Sequence, residues 1–297
     1  MKIAILGLGE VGRCYAKALR RSGYELAMCD ARPSALAEEL TASCGLPIQT
    51  SIGAWLSGCD WILSCVTGAH ALGVVEQCLA HARPGATVCD MSTATPDVKR
   101  LAAKRAGESS IRYVDVAIMG AISLSLAKTP LLAAGEGALE FAELLAKVGA
   151  QVAVIDRGMA GDAIALKILR SVFTKGMEAL SVELLMAAEK QGVREKLYEQ
   201  LRDIDKTPLR DFIDMLVRTH VVHARRRAHE VRDAAAELAK HGLPSVVLPG
   251  VERRLQLTIE ALERQAPKEA EPNVDQALAW LLDDAAKRAE SPYPQHT

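Results

Sequence analysis

The glycine triplet Gly7-x-Gly9-x-x-Gly12 constrains this chain most, because it stands directly behind the apolar run Lys2–Leu6 and opens a helical pattern at Glu10. A strand that turns at once into a helix needs glycine for three reasons. Gly7 permits the tight turn, Gly9 lets a pyrophosphate approach the backbone, and Gly12 lets helix and strand pack closely. The helix N-terminus then offers free N–H groups and partial positive charge to phosphates. The context on both sides predicts a dinucleotide-binding β–turn–α unit, with Gly7, Leu8, Gly9, Glu10, Val11 and Gly12 around the cofactor.

An acid follows where such a unit needs one. Asp30 closes the second strand, Glu25–Asp30. Its carboxylate can accept hydrogen bonds from the adenosine ribose hydroxyls and would repel a 2′-phosphate, which favours NAD. Arg32 reads most simply as a solvated loop residue, but a nearby arginine can embrace that phosphate, so NADP stays as the alternative. In an open α/β sheet, ligands bind beyond the carboxyl ends of the strands. Cys65-Val66-Thr67 and Asp90-Met91-Ser92-Thr93-Ala94 end two further strands, so Cys65, Val66, Thr67 and Thr93 join the expected cofactor contacts.

The first half alternates apolar runs with helical patterns. Strands are expected at Lys2–Leu6, Glu25–Asp30, Trp61–Val66, Thr87–Asp90, Arg112–Val116, Pro130–Ala134 and Gln151–Ile155. Helices are expected at Glu10–Ser22, Ser34–Cys44, His70–Ala82, Pro96–Ala106 and Ala138–Val148. This alternation predicts a parallel, doubly wound sheet of the Rossmann type. After Arg157 long helical stretches take over at Gly161–Gln191 and Leu209–Ala239, and Pro244, Pro249 and Pro267 punctuate the remainder. A polar linker at Gln265–Asn273 precedes a short amphipathic helix near Trp280, and the closing SPYPQHT reads as a loose tail. The expected fold is therefore α/β, with a dinucleotide-binding domain over residues 1–157 and an all-helical substrate and dimerisation domain over 158–297.

Composition narrows the function. The 297 residues are 49% hydrophobic and 25% charged, with net charge -1, so no global positive field draws nucleic acid or anionic lipid. No apolar run reaches the roughly 18–20 residues of a membrane span. The opening MKIAILGLGEVG reads as a buried strand and turn rather than a signal peptide. The seven cysteines all lie in the first third, with irregular spacing and no CxxC pair, which reads as buried free thiols in a reducing cytosol. A cytoplasmic location follows as the expectation.

With these pieces in place the sequence resembles the β-hydroxyacid dehydrogenase superfamily, which includes 3-hydroxyisobutyrate dehydrogenase and, more distantly, 6-phosphogluconate dehydrogenase. Four motifs in the right order carry the resemblance: GLGEVG, DMSTATP at Asp90–Pro96, DVAIMGA at Asp115–Ala121, and GDAIALKILRS at Gly161–Ser171. It covers residues 1–190 well and continues more loosely beyond, as in a lesser-known branch with a distinct C-terminal domain. The resemblance implies that Ser92 and Thr93 lie near nicotinamide and substrate. The third motif usually carries serine and two glycines where this chain has Met119, Gly120 and Ala121. The fourth usually carries a second glycine and an asparagine where it has Ala163 and Ser171. A substrate carboxylate is therefore held differently here. Backbone N–H groups of Met119-Gly120-Ala121 are candidates to hold it, and Ser123 is a candidate replacement for the motif serine.

The lysine helix can also be read from its own residues. Gly161–Gln191 is apolar over most of its circumference, which predicts a largely buried helix. Lys167, Ser171, Thr174 and Glu178 recur at helical spacing and form one polar stripe, which needs a wet cleft or hydrogen-bond partners. Oxidation of an alcohol carbon also requires loss of the hydroxyl proton, and a lysine beside both atoms can take it. Burial and a positive nicotinamide ring would bring its pKa down toward neutrality. Lys167 is thus the expected general acid/base, a role the resemblance also implies, with Ser171 positioning it or contacting substrate.

The expected activity is hydride transfer between NAD(P) and a small 3-hydroxy acid or related sugar or polyol acid, a small anionic or hydroxylated substrate. Reduction of an imine on the same scaffold and dinucleotide-dependent regulation without turnover are the competing readings. Ala-rich helices, and relatives that are commonly dimers or larger, point to a homodimer or higher homo-oligomer. His220 and His223 lie three apart on a helix but lack a third ligand, so no metal is expected. Arg225, Arg226 and Arg227, with Glu230, Arg232 and Asp233, read as a solvated, salt-bridged face; the alternative is a set of cations presented to an anionic substrate, across a dimer interface.

Overall fold

A computed structural model of the chain describes residues 1–290. The tail expected to be loose lies outside the described residues. Two compact units are formed, Met1–Phe173 and Thr174 onward.

The first unit runs β1 (Lys2–Leu6), α1 (Glu10–Arg21), β2 (Glu25–Cys29), α2 (Ala35–Cys44), β3 (Ile48–Gln49), β4 (Trp61–Ser64), α3 (Ala71–His81), β5 (Thr87–Asp90), α4 (Pro96–Glu108), β6 (Arg112–Ile118), α5 (Ile122–Ser125), β7 (Leu131–Gly135), α6 (Ala138–Ala146), β8 (Val152–Val154) and the start of α7 (Asp162–Lys190). One sheet has the order β3-β2-β1-β4-β5-β6-β7-β8. Its first six strands follow the 3-2-1-4-5-6 order of a dinucleotide-binding doubly wound sheet. Strands β1 and β4 read as largely apolar runs because helices cover both sheet faces. One face packs Ile3, Ile5, Leu63 and Val114 under Tyr15 and Leu19 of α1 and Phe141 of α6. The other packs Ala4, Leu6, Ile62 and Val88 under Val75 of α3 and Ala102 of α4.

Two features of the sheet differ from the sequence reading. The expected all-parallel sheet is interrupted at β7, which pairs antiparallel with β6 through Ile118↔Leu131 and Val114↔Gly135. Between these strands lie only the four-residue α5 and a 3-10 turn. That segment forms no helix able to cross the sheet, as a parallel return requires. The edge strand β3, only two residues long, is too short to show any periodic pattern.

The second unit holds the rest of α7, then α8 (Arg194–Gln200), α9 (Arg202–Asp205), α10 (Leu209–Lys240), α11 (Leu248–Arg264) and α12 (Val274–Glu290). Helices α10 and α11 pack through Ala224, Ala228, Leu255 and Ile259. Helix α11 was not expected from its prolines. Pro249 in fact sits in the first turn, where a missing N–H costs nothing.

The expected burial of α7 does not hold. Leu169 is 65% exposed, Val172 70% and Met177 48%, and Ile168, Phe173 and Leu180 are also exposed. The apolar circumference of α7 exceeds what a single copy covers.

Candidate active site

The glycine turn has the geometry its spacing predicts. Gly7 adopts φ +85°, and a Cβ there would lie 3.0 Å from the Cys65 carbonyl oxygen. A Cβ at Gly9 would meet nothing within 4 Å, so the backbone is open where a phosphate would approach. A Cβ at Gly12 would fall 1.9 Å from the Gly7 carbonyl oxygen, so no side chain fits between helix and turn. Gly9 caps the twelve-residue α1 without a side-chain hydrogen bond, which leaves the first-turn amides for an anion. Glu10 is exposed and Val11 half-buried, while the Leu8 side chain is buried and can offer a ligand only its backbone.

Asp30 braces this turn. One carboxylate oxygen accepts from the Leu8 N–H at 2.7 Å and the other from the Arg32 N–H at 2.9 Å. Each oxygen keeps a further lone pair for a ribose hydroxyl. The Arg32 side chain is exposed. Arg13, not singled out in the sequence, donates to the Leu8 carbonyl oxygen at 2.8 Å and holds the turn from the helix side. An open Gly9, free helix amides and an acid at the end of β2 fit a dinucleotide.

The ends of β4 and β5 converge beside it. Half-buried Cys65 and Val66 and exposed Thr67 lead into Gly68, where a Cβ would lie 2.9 Å from the Thr93 carbonyl carbon. Gly68 thus lets the two loops touch backbone to backbone. Thr67 Oγ1 pairs with His70 Nδ1 at 3.0 Å. Thr93 is exposed, but Ser92 is only 3% exposed, and its hydroxyl accepts from the Ala94 N–H at 3.3 Å. Of the two motif hydroxyls, Thr93 is the one open to a ligand.

Beneath these loops lies a buried ionic network that the sequence reading missed. Lys99 of α4, wholly buried, places Nζ 2.7 Å from Asp115 Oδ1 and 3.9 Å from Asp90 Oδ2, and donates to the Asp90 carbonyl oxygen at 2.9 Å. The Asp115 contact is an ion pair rather than an aligned hydrogen bond, since Oδ1 has no hydrogen-bond partner. Asp115 Oδ2 accepts from the N–H groups of Gly161 and Ile164 at 3.0 and 3.1 Å and so caps the start of α7. Tyr113 Oη donates to Asp90 Oδ2 at 2.7 Å, and burial beside Asp90 pushes its pKa up. A charged residue inside the apolar run RYVDVAI was the available signal, because a buried carboxylate requires a partner.

This network places Lys167. Helix α7 is tied at Ile164 to Asp115, within β6, and at Arg170 to the Met119 carbonyl oxygen, just past the end of β6, at 2.7 Å. Lys167 lies between these ties in the sequence of α7, near enough to Lys99 to feel its charge. It is half-buried and makes no hydrogen bond or ion pair among the described residues. Burial lowers its pKa below the ordinary lysine value, and the Lys99 charge adds to the effect. Ser171 is exposed, and its hydroxyl donates to the Lys167 carbonyl oxygen at 2.9 Å, an ordinary one-turn bond that leaves the ammonium untouched. Thr174 and Glu178 are exposed, and Glu178 pairs with Lys175 at 2.5 Å.

The candidate carboxylate loop is partly committed. The Met119 N–H already donates to the Pro130 carbonyl oxygen at 2.8 Å as the β6–β7 ladder continues. That leaves Gly120 and Ala121, both exposed, as the open amides, with Ser123 exposed nearby in α5. Arg170, held over this loop, is a cation the sequence reading passed over.

Other groups are quieter. The cysteines are free, and burial pushes Cys65 and Cys78 up to about 12, which makes them poor nucleophiles. No cluster of three His, Cys, Asp or Glu side chains suited to a metal occurs among the described residues. His220 pairs with Thr258 Oγ1 at 2.8 Å.

The family described as the NAD binding domain of 6-phosphogluconate dehydrogenase matches residues 2–156, more than half of the chain. The chain belongs to this family. Residues 188–258 match a separate domain of unknown function, consistent with a divergent C-terminal part. The chain is similar to an uncharacterized 28.5 kDa protein of Methanothermus fervidus, 25% identical over 84% of this chain and 95% of the other. It is also similar to the L-threonate dehydrogenase of Cupriavidus necator, 27% identical over 40% of each. Among solved structures it resembles a conserved protein reported to be similar to 3-hydroxyacid dehydrogenases, with 28% identity, TM-score 0.61 and coverage of 88% and 97%. An imine reductase from Aspergillus terreus shares the fold at TM-score 0.72 and 18% identity, covering 93% of this chain and 97% of the other. The family and these neighbours thus hold dehydrogenases and reductases, and the first domain is an NAD-binding one.

Proposed function

We propose that the chain is an NAD(P)-dependent oxidoreductase acting on a small 3-hydroxy acid or a related sugar or polyol acid, with Lys167 as general acid/base. The observation that carries this reading is a half-buried lysine with no counterion among the described residues, on the helix tied to β6 and to the residue that follows it in the dinucleotide-binding sheet. Residues 1–157 then bind the dinucleotide, and 158–297 serve substrate binding and dimerisation.

When bound at the turn Gly7–Gly12, a nicotinamide dinucleotide would supply the acceptor or donor of the hydride exchanged with the alcohol carbon. The turn Gly7–Gly12 holds the pyrophosphate on backbone N–H groups, and Asp30 accepts from the ribose hydroxyls. That carboxylate also repels a 2′-phosphate, which favours NAD, with NADP as the alternative through Arg32. Cys65, Val66, Thr67 and Thr93 flank the cofactor. Neutral Lys167 takes the hydroxyl proton at Nζ during oxidation and gives it back to a carbonyl oxygen in reduction. Oxidation therefore accelerates as pH rises through the lysine's lowered pKa, whereas reduction is favoured below it. Thr93 and the amides of Gly120 and Ala121 orient the substrate, and Arg170 offers its carboxylate a planar, two-pronged cation. Imine reduction has the fold in its favour, but a lysine suits a carbonyl oxygen better than an imine nitrogen already poised to carry a proton.

A panel of hydroxy acids with NAD and with NADP, followed at the nicotinamide absorbance, tests the reading. A carboxylated 3-alcohol should be oxidised, faster with NAD. Turnover of cyclic imines and of no hydroxy acid would overturn it.

The exposed apolar residues of α7 support a homodimer or higher homo-oligomer in which a second copy covers them. Light scattering should report at least twice the 31.9 kDa chain mass; a monomer at all concentrations refutes it. A cytoplasmic location accords with seven free cysteines. Among the described residues no helix is long and apolar enough to cross a membrane.

A further inference from the structure

The arginine-rich region of α10, α11 and α12 divides into two kinds of guanidinium. Arg225, Arg226 and Arg232 pair with Glu263, Glu230 and Glu252 at 3.1, 2.5 and 3.0 Å, the solvated face expected from the sequence. Arg227 and Arg254 meet hydroxyls instead. Arg227 Nη2 donates to Thr219 Oγ1 and Arg254 Nη2 to Thr258 Oγ1, each at 2.8 Å, and neither has a carboxylate within 4 Å among the described residues. Thr258 is wholly buried and is shared with His220 Nε2 at 2.8 Å, so the imidazole stands beside the Arg254 contact. Arg264 and Arg288 both converge on Asp284, at 2.7 and 2.9 Å, so the nearest carboxylate is already doubly engaged.

Charge is therefore in excess at this junction. Burial first, then the fields of Arg254 and Arg227, brings His220 down to about 4. Arg254, on the exposed side of the helix, is itself lowered, by partial desolvation first and then by Arg288, with Asp284 opposing the shift. Like charges crowded into a part-desolvated place cost free energy unless an anion completes the arrangement. Two forked guanidiniums, each held by a threonine hydroxyl and set beside a neutral imidazole, form a set of donors matched to a tetrahedral or branched oxyanion.

We propose that His220, Arg227 and Arg254, with Thr219 and Thr258, form a binding site for a doubly charged oxyanion, a phosphate group or a dicarboxylate. The site lies in the second unit and does not depend on Lys167 or on the reaction proposed for it. Arg227 and Arg254 supply the charge, and the threonines fix their forks. The bound anion cancels the repulsion between Arg254 and Arg288.

Calorimetry and thermal unfolding of the full chain, with inorganic phosphate and with malonate at an ionic strength held constant by chloride, test the site. At least one of the two anions should bind saturably and raise Tm. Binding of phosphate alone identifies a phosphate site, and binding of malonate identifies a dicarboxylate site. Arg254→Gln and Arg227→Gln should each weaken that binding by about tenfold or more. Without anion, Arg254→Gln should hold or raise Tm, because it removes repulsion, whereas a purely structural arginine would lower it. The His220 resonance in the unaltered protein is a check that needs no variant, since its titration should move upward from about 4 when the anion binds. Absence of saturable binding by both anions, or binding unchanged in both variants, overturns the proposal.

Discussion

Lys167→Ala is expected to lower turnover by roughly 10²–10⁴-fold while leaving dinucleotide affinity within about threefold. The two effects should separate because, in the proposed reading, the dinucleotide is held elsewhere, by the turn Gly7–Gly12, the α1 N-terminus and Asp30. Lys167 is half-buried and its ammonium has no partner among the described residues, so its removal orphans no carboxylate there and folding should survive. Cofactor affinity comes from fluorescence titration, and turnover from the substrate that the hydroxy-acid panel identifies. If Lys167 were only a solvated surface residue, kcat would stay within a few-fold of the starting value. A protein that senses dinucleotide without turnover would likewise keep its output.

Lys99→Met should have the largest effect on stability. Among the described residues it removes the only cation within 4 Å of Asp115 and Asp90 in a wholly buried setting, where breaking one side of an ion pair costs about 3–5 kcal/mol. Chemical denaturation of the purified chain should show that loss. The double variant Lys99→Met, Asp115→Asn should regain part of it. Removing both charges costs less than stranding one, and an asparagine oxygen can still accept from the Gly161 and Ile164 N–H groups. An equal loss in the two variants would mean that packing, not charge, dominates. The single variant has a kinetic signature as well. Lys99 lowers the Lys167 pKa, so its removal raises that pKa, and the acidic limb of alcohol oxidation moves to higher pH.

Local chemistry was legible in the sequence, and long-range pairing was not. Gly7, Gly9 and Gly12 act within one turn, and Asp30 reaches that turn from the next strand, so spacing alone placed them. Core strands such as β1 and β4 announced themselves as apolar runs because both faces are covered. The direction of β7 depends on how the chain travels between Ile118 and Leu131, which periodicity does not record. The exposure of α7 is equally invisible, since the same apolar pattern serves a core within one copy or a contact with another. Lys99 falls within the expected helix Pro96–Ala106 with nothing local to mark it, and its role appears only when α4, β5 and β6 bring it to Asp90 and Asp115. Ser171 illustrates the converse. Its place in the motif pointed to substrate, but its hydroxyl bonds the carbonyl one turn back.

Chemical rescue tests most directly whether Nζ of Lys167 moves the proton. Turnover by Lys167→Ala should return on addition of ethylamine, in proportion to its unprotonated fraction in the oxidation direction. Rescue should follow the pKa of the amine supplied when methylamine or a fluorinated ethylamine replaces it. A folded, dinucleotide-binding Lys167→Ala protein that stays inactive with every amine, or that retains full activity with none, would contradict the assignment of Lys167 as the acid/base.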